Sequence, residues 1–322
     1  MRKSVTPILL TLVLAAALLP AMANAQARWG EFGSFGTADG QFNNPQGLVV
    51  DPSGNLYVSD AGNARIQLFS FSGGLANFEL KWGSGGIGIG QLNSPIGVAR
   101  DADGNIYVAD TNNNRIVKYN STGTAILLQW GSTGTGDGQF RFPRGVAVDG
   151  EGVYVADFTN KRMQMFTSEG VYVRQWGVFG QNPWGVAADG LGSIFVTCNT
   201  NGYIEVFDNL GNELNFWGGF GAVDGKFKSP RGIAVDALGN VYIADTGNSR
   251  IQKFNSAGTF IKKWGTLGST WGKFNFPSGV ALDASGNMYV SDSGNQRIQV
   301  LGALGMVPTQ TTSWGRIKAL YR

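Results

Sequence analysis

From residue 45 onward the chain repeats one pattern of apolar runs and polar breaks. A run of small and β-branched residues, Gly232-Ile233-Ala234-Val235, meets a polar break from Asp236 to Asn240. Val241-Tyr242-Ile243-Ala244-Asp245 follows, then Arg250-Ile251-Gln252-Lys253-Phe254, then a last run closing on Lys263-Trp264-Gly265. Short runs rich in branched and aromatic side chains predict strands, not helices. The Asp-x-x-Gly-Asn break predicts a tight turn, with Asp accepting from its own backbone and Gly at positive φ. Each unit reads as four strands.

The unit recurs six times. Its anchors are Pro45, Pro95, Pro143, Pro183, Pro230 and Pro277, 232 residues over five intervals, or about 46 per unit. That period suits one blade of a β-propeller and predicts an all-β, six-bladed ring over residues 26–305, with the small apolar run of each unit beside the central channel. From each Trp-Gly tryptophan to the next proline is usually 13 residues, as from Trp82 to Pro95 and from Trp264 to Pro277. Counting back from Pro45 leaves an outer strand at 26–32 with no blade in front of it. This strand is expected to complete the sixth blade, which removes both open sheet edges. The rival for that place is Ser313-Trp314-Gly315 in the tail. Residues 306–322 lie outside the repeats and read either as a short amphipathic helix docked on the ring or as a recognition tail.

The combination Pro-x-Gly-(Val/Ile)-Ala, Gly-Asn-x-Tyr-Val-(Ala/Ser)-Asp, Asn-x-Arg-Ile and Trp-Gly resembles the NHL repeat. Five good copies and one degenerate copy, the fourth, cover nearly all of residues 26–305. The resemblance implies a six-bladed propeller. RNA-binding members in animals use a basic face, and ubiquitin-ligase members carry a RING with zinc-binding Cys and His upstream.

Composition changes this picture in two places. There are 49 glycines and 12% aromatics but only 15% charged residues, which suits many short strands and tight turns. There is no His and a single Cys, Cys198, so the commonest general base and metal ligand is missing and no intramolecular disulfide can form. The N-terminus reads as an export signal: Met1-Arg2-Lys3, an apolar run from Ile8 to Leu19, Pro20, and Ala23-Asn24-Ala25 ahead of cleavage before Gln26. The apolar run is shorter than the roughly 20 residues a membrane helix needs. A net charge of +3 falls to about +1 once Arg2 and Lys3 are removed, so nothing demands nucleic acid as a partner.

Several catalytic patterns are by-products of the repeat. Gly83-Ser84-Gly85-Gly86-Ile87-Gly88 fits a dinucleotide fingerprint, but no helix follows to hold a pyrophosphate. Asp101 to Asn105 resembles the start of a calcium loop, but its twelfth position is Asn112 where a Glu is required. Asp and Arg recur five apart in five units, as Asp60 with Arg65 and Asp245 with Arg250. They are expected to pair across the loop between strands, bidentately where geometry allows, as scaffold.

The fourth unit breaks the rule. Asp becomes Cys198, Arg becomes Tyr203, and Trp176 to Pro183 is seven residues instead of 13. Trp184 follows the proline where other units carry Gln46, Ile96, Arg144, Arg231 or Ser278. A missing flap there is expected to open a notch walled by Trp184, Cys198 and Tyr203. Arg141, Arg144, Lys161, Lys226, Lys228 and Arg231 add cations on that face, partly neutralised by Asp137, Asp157 and Asp224. The candidate ligand-binding residues are thus Trp184, Cys198, Tyr203, Arg144 and Arg231. The expected function is a monomeric, non-enzymatic, secreted, periplasmic or cell-surface scaffold that presents one propeller face to a protein, peptide or glycan, with no cofactor and no membrane span. The alternative is a propeller enzyme, a lyase or lactonase-like hydrolase with a divalent metal in the channel. Related lyases draw on His, which is absent, and the inner runs here carry no acidic side chain for a metal.

Overall fold

A computed structural model describes residues 28–302, apart from residue 180. The export segment at 1–25, the tail at 306–322 and the rival strand at 313–315 lie outside the described residues. Six four-stranded antiparallel sheets form a ring. The inner strands are Pro45–Val50, Pro95–Arg100, Pro143–Val148, Pro183–Ala188, Pro230–Val235 and Pro277–Leu282. Their small residues are dictated by close approach. A Cβ added at Gly47, Gly97, Gly145, Gly185, Gly232 or Gly279 would lie 2.2–2.6 Å from a carbonyl oxygen of the next blade, well inside van der Waals contact. Those carbonyls belong to Ile96, Arg144, Trp184, Arg231, Ser278 and Gln46, so the glycines form a closed waist. Side-chain hydroxyls stitch part of it. Ser59 Oγ donates to Ile96 O at 2.6 Å, Thr197 Oγ1 to Arg231 O at 2.6 Å, and Ser291 Oγ to Gln46 O at 2.5 Å.

The ring closes as the spacing predicts. Arg28–Phe32 pairs with Arg297–Gly302 and is the outer strand of the sixth sheet. Phe32 then packs 4.9 Å from Phe69 of the first blade, and Glu31 pairs with Arg297. The hydrophobic core is divided into six clusters, several of them joining neighbouring blades, as where Phe42, Leu48 and Phe69 meet Tyr289 and Val300. At the far end the Asp turns form as expected: Asn55 N donates to Asp51 Oδ1 at 2.8 Å, with Gly54 at φ 85°. The same bond holds Asp101 to Asn105 as a turn.

The recurrent Asp–Arg pairs do more than clip a loop. In five blades Arg Nε donates to the carboxylate at 2.6–2.8 Å, through one oxygen, not two. The anticipated bidentate fork is spent elsewhere: in the first blade Arg65 Nη1 donates to Thr37 O, and Nη2 donates to Ala38 O and Gln41 O. Asp60 Oδ1 accepts from Asn43 N at 2.7 Å, and Gln67 links Asp60 to Gln41 O and Gly40 N. Asp, Arg and Gln therefore latch the whole connector over its blade, with Phe42 fully buried beneath it.

Candidate functional site

Each connector ends on a residue at φ 50–57°, from Asn44 to Phe276, directly before the blade's proline. The register against the second strand then shifts within three residues of every proline. A bulge of this kind re-aims the side chain inside it. Five of the six residues that follow the prolines, Gln46, Ile96, Arg144, Trp184 and Ser278, consequently line one cavity of about 70 Å³ at the connector end of the channel, and the sixth, Arg231, lies over the Trp184 ring beside them.

Three of the candidates meet there. The guanidinium carbon of Arg144 lies 3.7 Å from the centre of the Trp184 ring and 4.0 Å from that of Phe158. Phe158 and Trp184 stand nearly perpendicular, at 86°, so Arg144 sits in the corner between two aromatic faces. Arg231 lies 4.3 Å over the same Trp184 ring. With 3.7 and 4.3 Å to one centroid, the two cations are no more than about 8 Å apart. Stacking on indole is a known way to hold a guanidinium.

Neither arginine is neutralised. Among the described residues Arg144 makes no hydrogen bond or ion pair to a protein group, and Arg231 has only Nη1 on Ser278 Oγ at 3.1 Å. The Nε of both is buried without a partner. The acids that the sequence placed nearby are engaged elsewhere: Asp157 with Arg162, and Asp224 with Arg250 and Lys263. Burial and the charge of Arg231 pull Arg144 down to about 10, and burial pulls Arg231 down to about 10.

The expected notch is corrected on two residues. Cys198 is fully buried in the core between the third and fourth blades, with Met163, Trp176 and Val178. Tyr203 packs against that same core and edge-on to Phe216 of the outer strand, at 5.9 Å. Neither lines the channel cavity. Trp184 itself is only 9% exposed, because the two guanidiniums cover it. On the short connector Val178 is buried in that core and Phe179 N donates to Glu205 Oε2 at 3.0 Å. Phe158 and Glu205 were missed from sequence. The signal for Glu205 was present, since the matching position reads Gln67, Gln164, Gln252 and Gln299 in other blades.

The connectors carry exposed apolar side chains. Every connector shows solvent at least one large hydrophobic side chain: Phe35, Ile87, Phe142, Phe179, Phe220 and Leu267. The channel lining at both ends contains no carboxylate, and no cluster of three His, Cys, Asp or Glu that could hold a metal occurs among the described residues.

Comparison with known proteins gives consistent findings. A family model described as the NHL repeat matches residues 42–69, 92–119, 140–166, 227–254 and 274–301. The B-box type zinc finger protein ncl-1 of Caenorhabditis elegans is 44% identical over 43 residues, which is 13% of this chain and 5% of that protein. Among solved structures, a Bacteroides thetaiotaomicron protein of unknown function aligns with a TM-score of 0.67 and 17% identity over 86% of this chain and 76% of that one. A streptogramin B lyase aligns with a TM-score of 0.61 and 13% identity, over 86% and 97% of the two chains. A gluconolactonase of Xanthomonas campestris aligns with a TM-score of 0.61 and 15% identity, over 86% and 89%. Identities this low establish the fold alone.

Proposed function

The chain is a six-bladed β-propeller of NHL repeats, and from that premise we propose that it is a non-enzymatic scaffold, exported from the cell, that binds another protein through its connector face. The observation that carries this reading is that all six connectors expose a large apolar side chain, Phe35, Ile87, Phe142, Phe179, Phe220 and Leu267, and that they lead into the strands that carry Arg144 and Arg231. An apolar rim of this kind is costly to leave in water and is the usual mark of an interaction surface. The rigid glycine waist and the latched connectors hold that face in one shape, so little ordering opposes binding. The ring needs no second copy to close its sheets, which favours a monomer.

A propeller enzyme is the competing reading, and the lyase and lactonase folds show that the scaffold admits chemistry. The residues here do not favour it, since the polar groups described in the channel wall are Gln46, Ser278 and arginines, with no carboxylate for a metal.

The test is capture of partners from the extracellular fraction on immobilised protein, set against a Phe35→Ser, Phe220→Ser, Leu267→Ser variant. A stoichiometric partner retained by the native chain and lost by the variant is expected; equal capture by both would remove the reading. Fractionation with N-terminal sequencing of the mature chain checks export, with Gln26 as the expected first residue.

A further inference from the structure

We propose that the channel mouth between Arg144 and Arg231 receives the free carboxylate at the end of a peptide chain whose last side chain is apolar. The proposal rests on the connector face being the binding face, and it says what that face reads. Two guanidiniums no more than about 8 Å apart, on one indole, with both Nε groups buried and unpartnered, form a donor set whose one protein acceptor is Ser278 Oγ on Arg231 Nη1. Buried donors of this kind call for an anion, and the planar forks of arginine match a carboxylate best.

The surroundings choose among anions. Both arginines cover the Trp184 ring, which is 9% exposed, so its faces are not free to stack on a sugar. Beneath the arginines the cavity is walled by Ile96, Val98, Val186 and Ile233, which suits an apolar side chain. Gln46 and Ser278 also line the cavity, as polar groups for a peptide amide. A volume of about 70 Å³ takes one small group and admits the tip of a chain end, not a folded segment or a duplex. The apolar connector rim would then meet the body of the partner from which that end projects.

The experiment is fluorescence anisotropy on the mature chain with a labelled pentapeptide ending in leucine, as the free acid and as the C-terminal amide. Inorganic phosphate and glucuronate serve as competitors. The free acid is expected to bind at least tenfold more tightly than the amide, and to resist displacement by either competitor at equal concentration. Arg144→Gln and Arg231→Gln should each weaken it at least tenfold, Arg231→Lys should restore part of the loss, and Lys161→Gln should change nothing. Circular dichroism of each variant confirms folding. Equal affinity for acid and amide, no binding of the acid at millimolar concentration, or preference for phosphate or glucuronate would overturn the proposal. The two readings separate cleanly. A partner still captured by an Arg144→Gln, Arg231→Gln double variant sinks the carboxylate site and spares the binding face. Peptide binding that survives the Phe35, Phe220 and Leu267 substitutions, without any captured partner, does the reverse.

Discussion

Cys198 Sγ lies 3.4 Å from Glu205 Oε1, at the place where four other blades set Asp beside Gln. The fourth blade therefore departs from the repeat at linked positions. Cys198 removes a carboxylate, Tyr203 removes the arginine, and Glu205 returns a carboxylate one strand over. There it accepts from the amide of Phe179 on the shortened connector. A connector with fewer carbonyls to latch has no use for the guanidinium.

Glu205→Gln tests whether these changes are matched. The new amide would turn a donor toward the Phe179 N–H or the Cys198 thiol, leaving a buried group unsatisfied. A loss of about 1–3 kcal/mol in urea unfolding is expected. An unchanged unfolding midpoint would mark the blade as drift.

The latch makes a second prediction, at Arg65. Its guanidinium serves Asp60 and three connector carbonyls at once. Lysine keeps the charge but has three donors on one atom and cannot span that set. Arg65→Lys should destabilise the ring by about 1.5–3 kcal/mol, and proteolysis should begin in residues 33–44. Stability equal to the parent would show that charge alone suffices.

The mouth behaves in the opposite sense. Arg144 and Arg231 both sit at about 10, below the ordinary arginine value, because burial penalises their charged forms. A depressed cation opposes folding at every pH below about 10 and is relieved only above it. Arg231→Gln is therefore expected to leave the thermal midpoint unchanged, or to raise it by about 2–4 °C, the shift that ~1 kcal/mol gives a domain of this size. Carboxylate binding should hold up to pH 9 and fall as pH passes 10. Calorimetry and anisotropy read the two effects, and a midpoint lowered by the substitution would contradict the first.

At the waist, a Cβ on Gly185 would stand 2.2 Å from Arg231 O. The closest atom is backbone and cannot rotate aside, and Thr197 Oγ1 stands 3.1 Å away. Gly185→Ala should cost about 1–3 kcal/mol, as overpacking does, and should also displace Trp184 from beneath the guanidiniums. A fall in stability together with loss of peptide binding is expected from denaturation and anisotropy; unaltered peptide affinity would separate the waist from the mouth.

The repeat made most of the ring legible in advance. A period of about 46, a Pro-x-Gly inner run and a capped Asp turn leave few ways to pair strands, because each side chain's face is set by the alternation of the strand. Even the closing strand followed from counting 13 residues back from Pro45. The site was legible only in part. Arg144, Trp184 and Arg231 share the position after a proline, and position on a repeated unit is a sequence property. What sequence could not supply was depth and distance. Cys198 and Tyr203 are neighbours of Trp184 along the unit, yet one faces the core between blades and the other leans on an outer strand. Likewise Asp157 and Asp224 lie near the arginines in the chain but are taken by Arg162, Arg250 and Lys263. Linear order decides which strand a residue joins. Only the closed ring decides which partner reaches it first, because contacts across the channel join residues that are tens of positions apart.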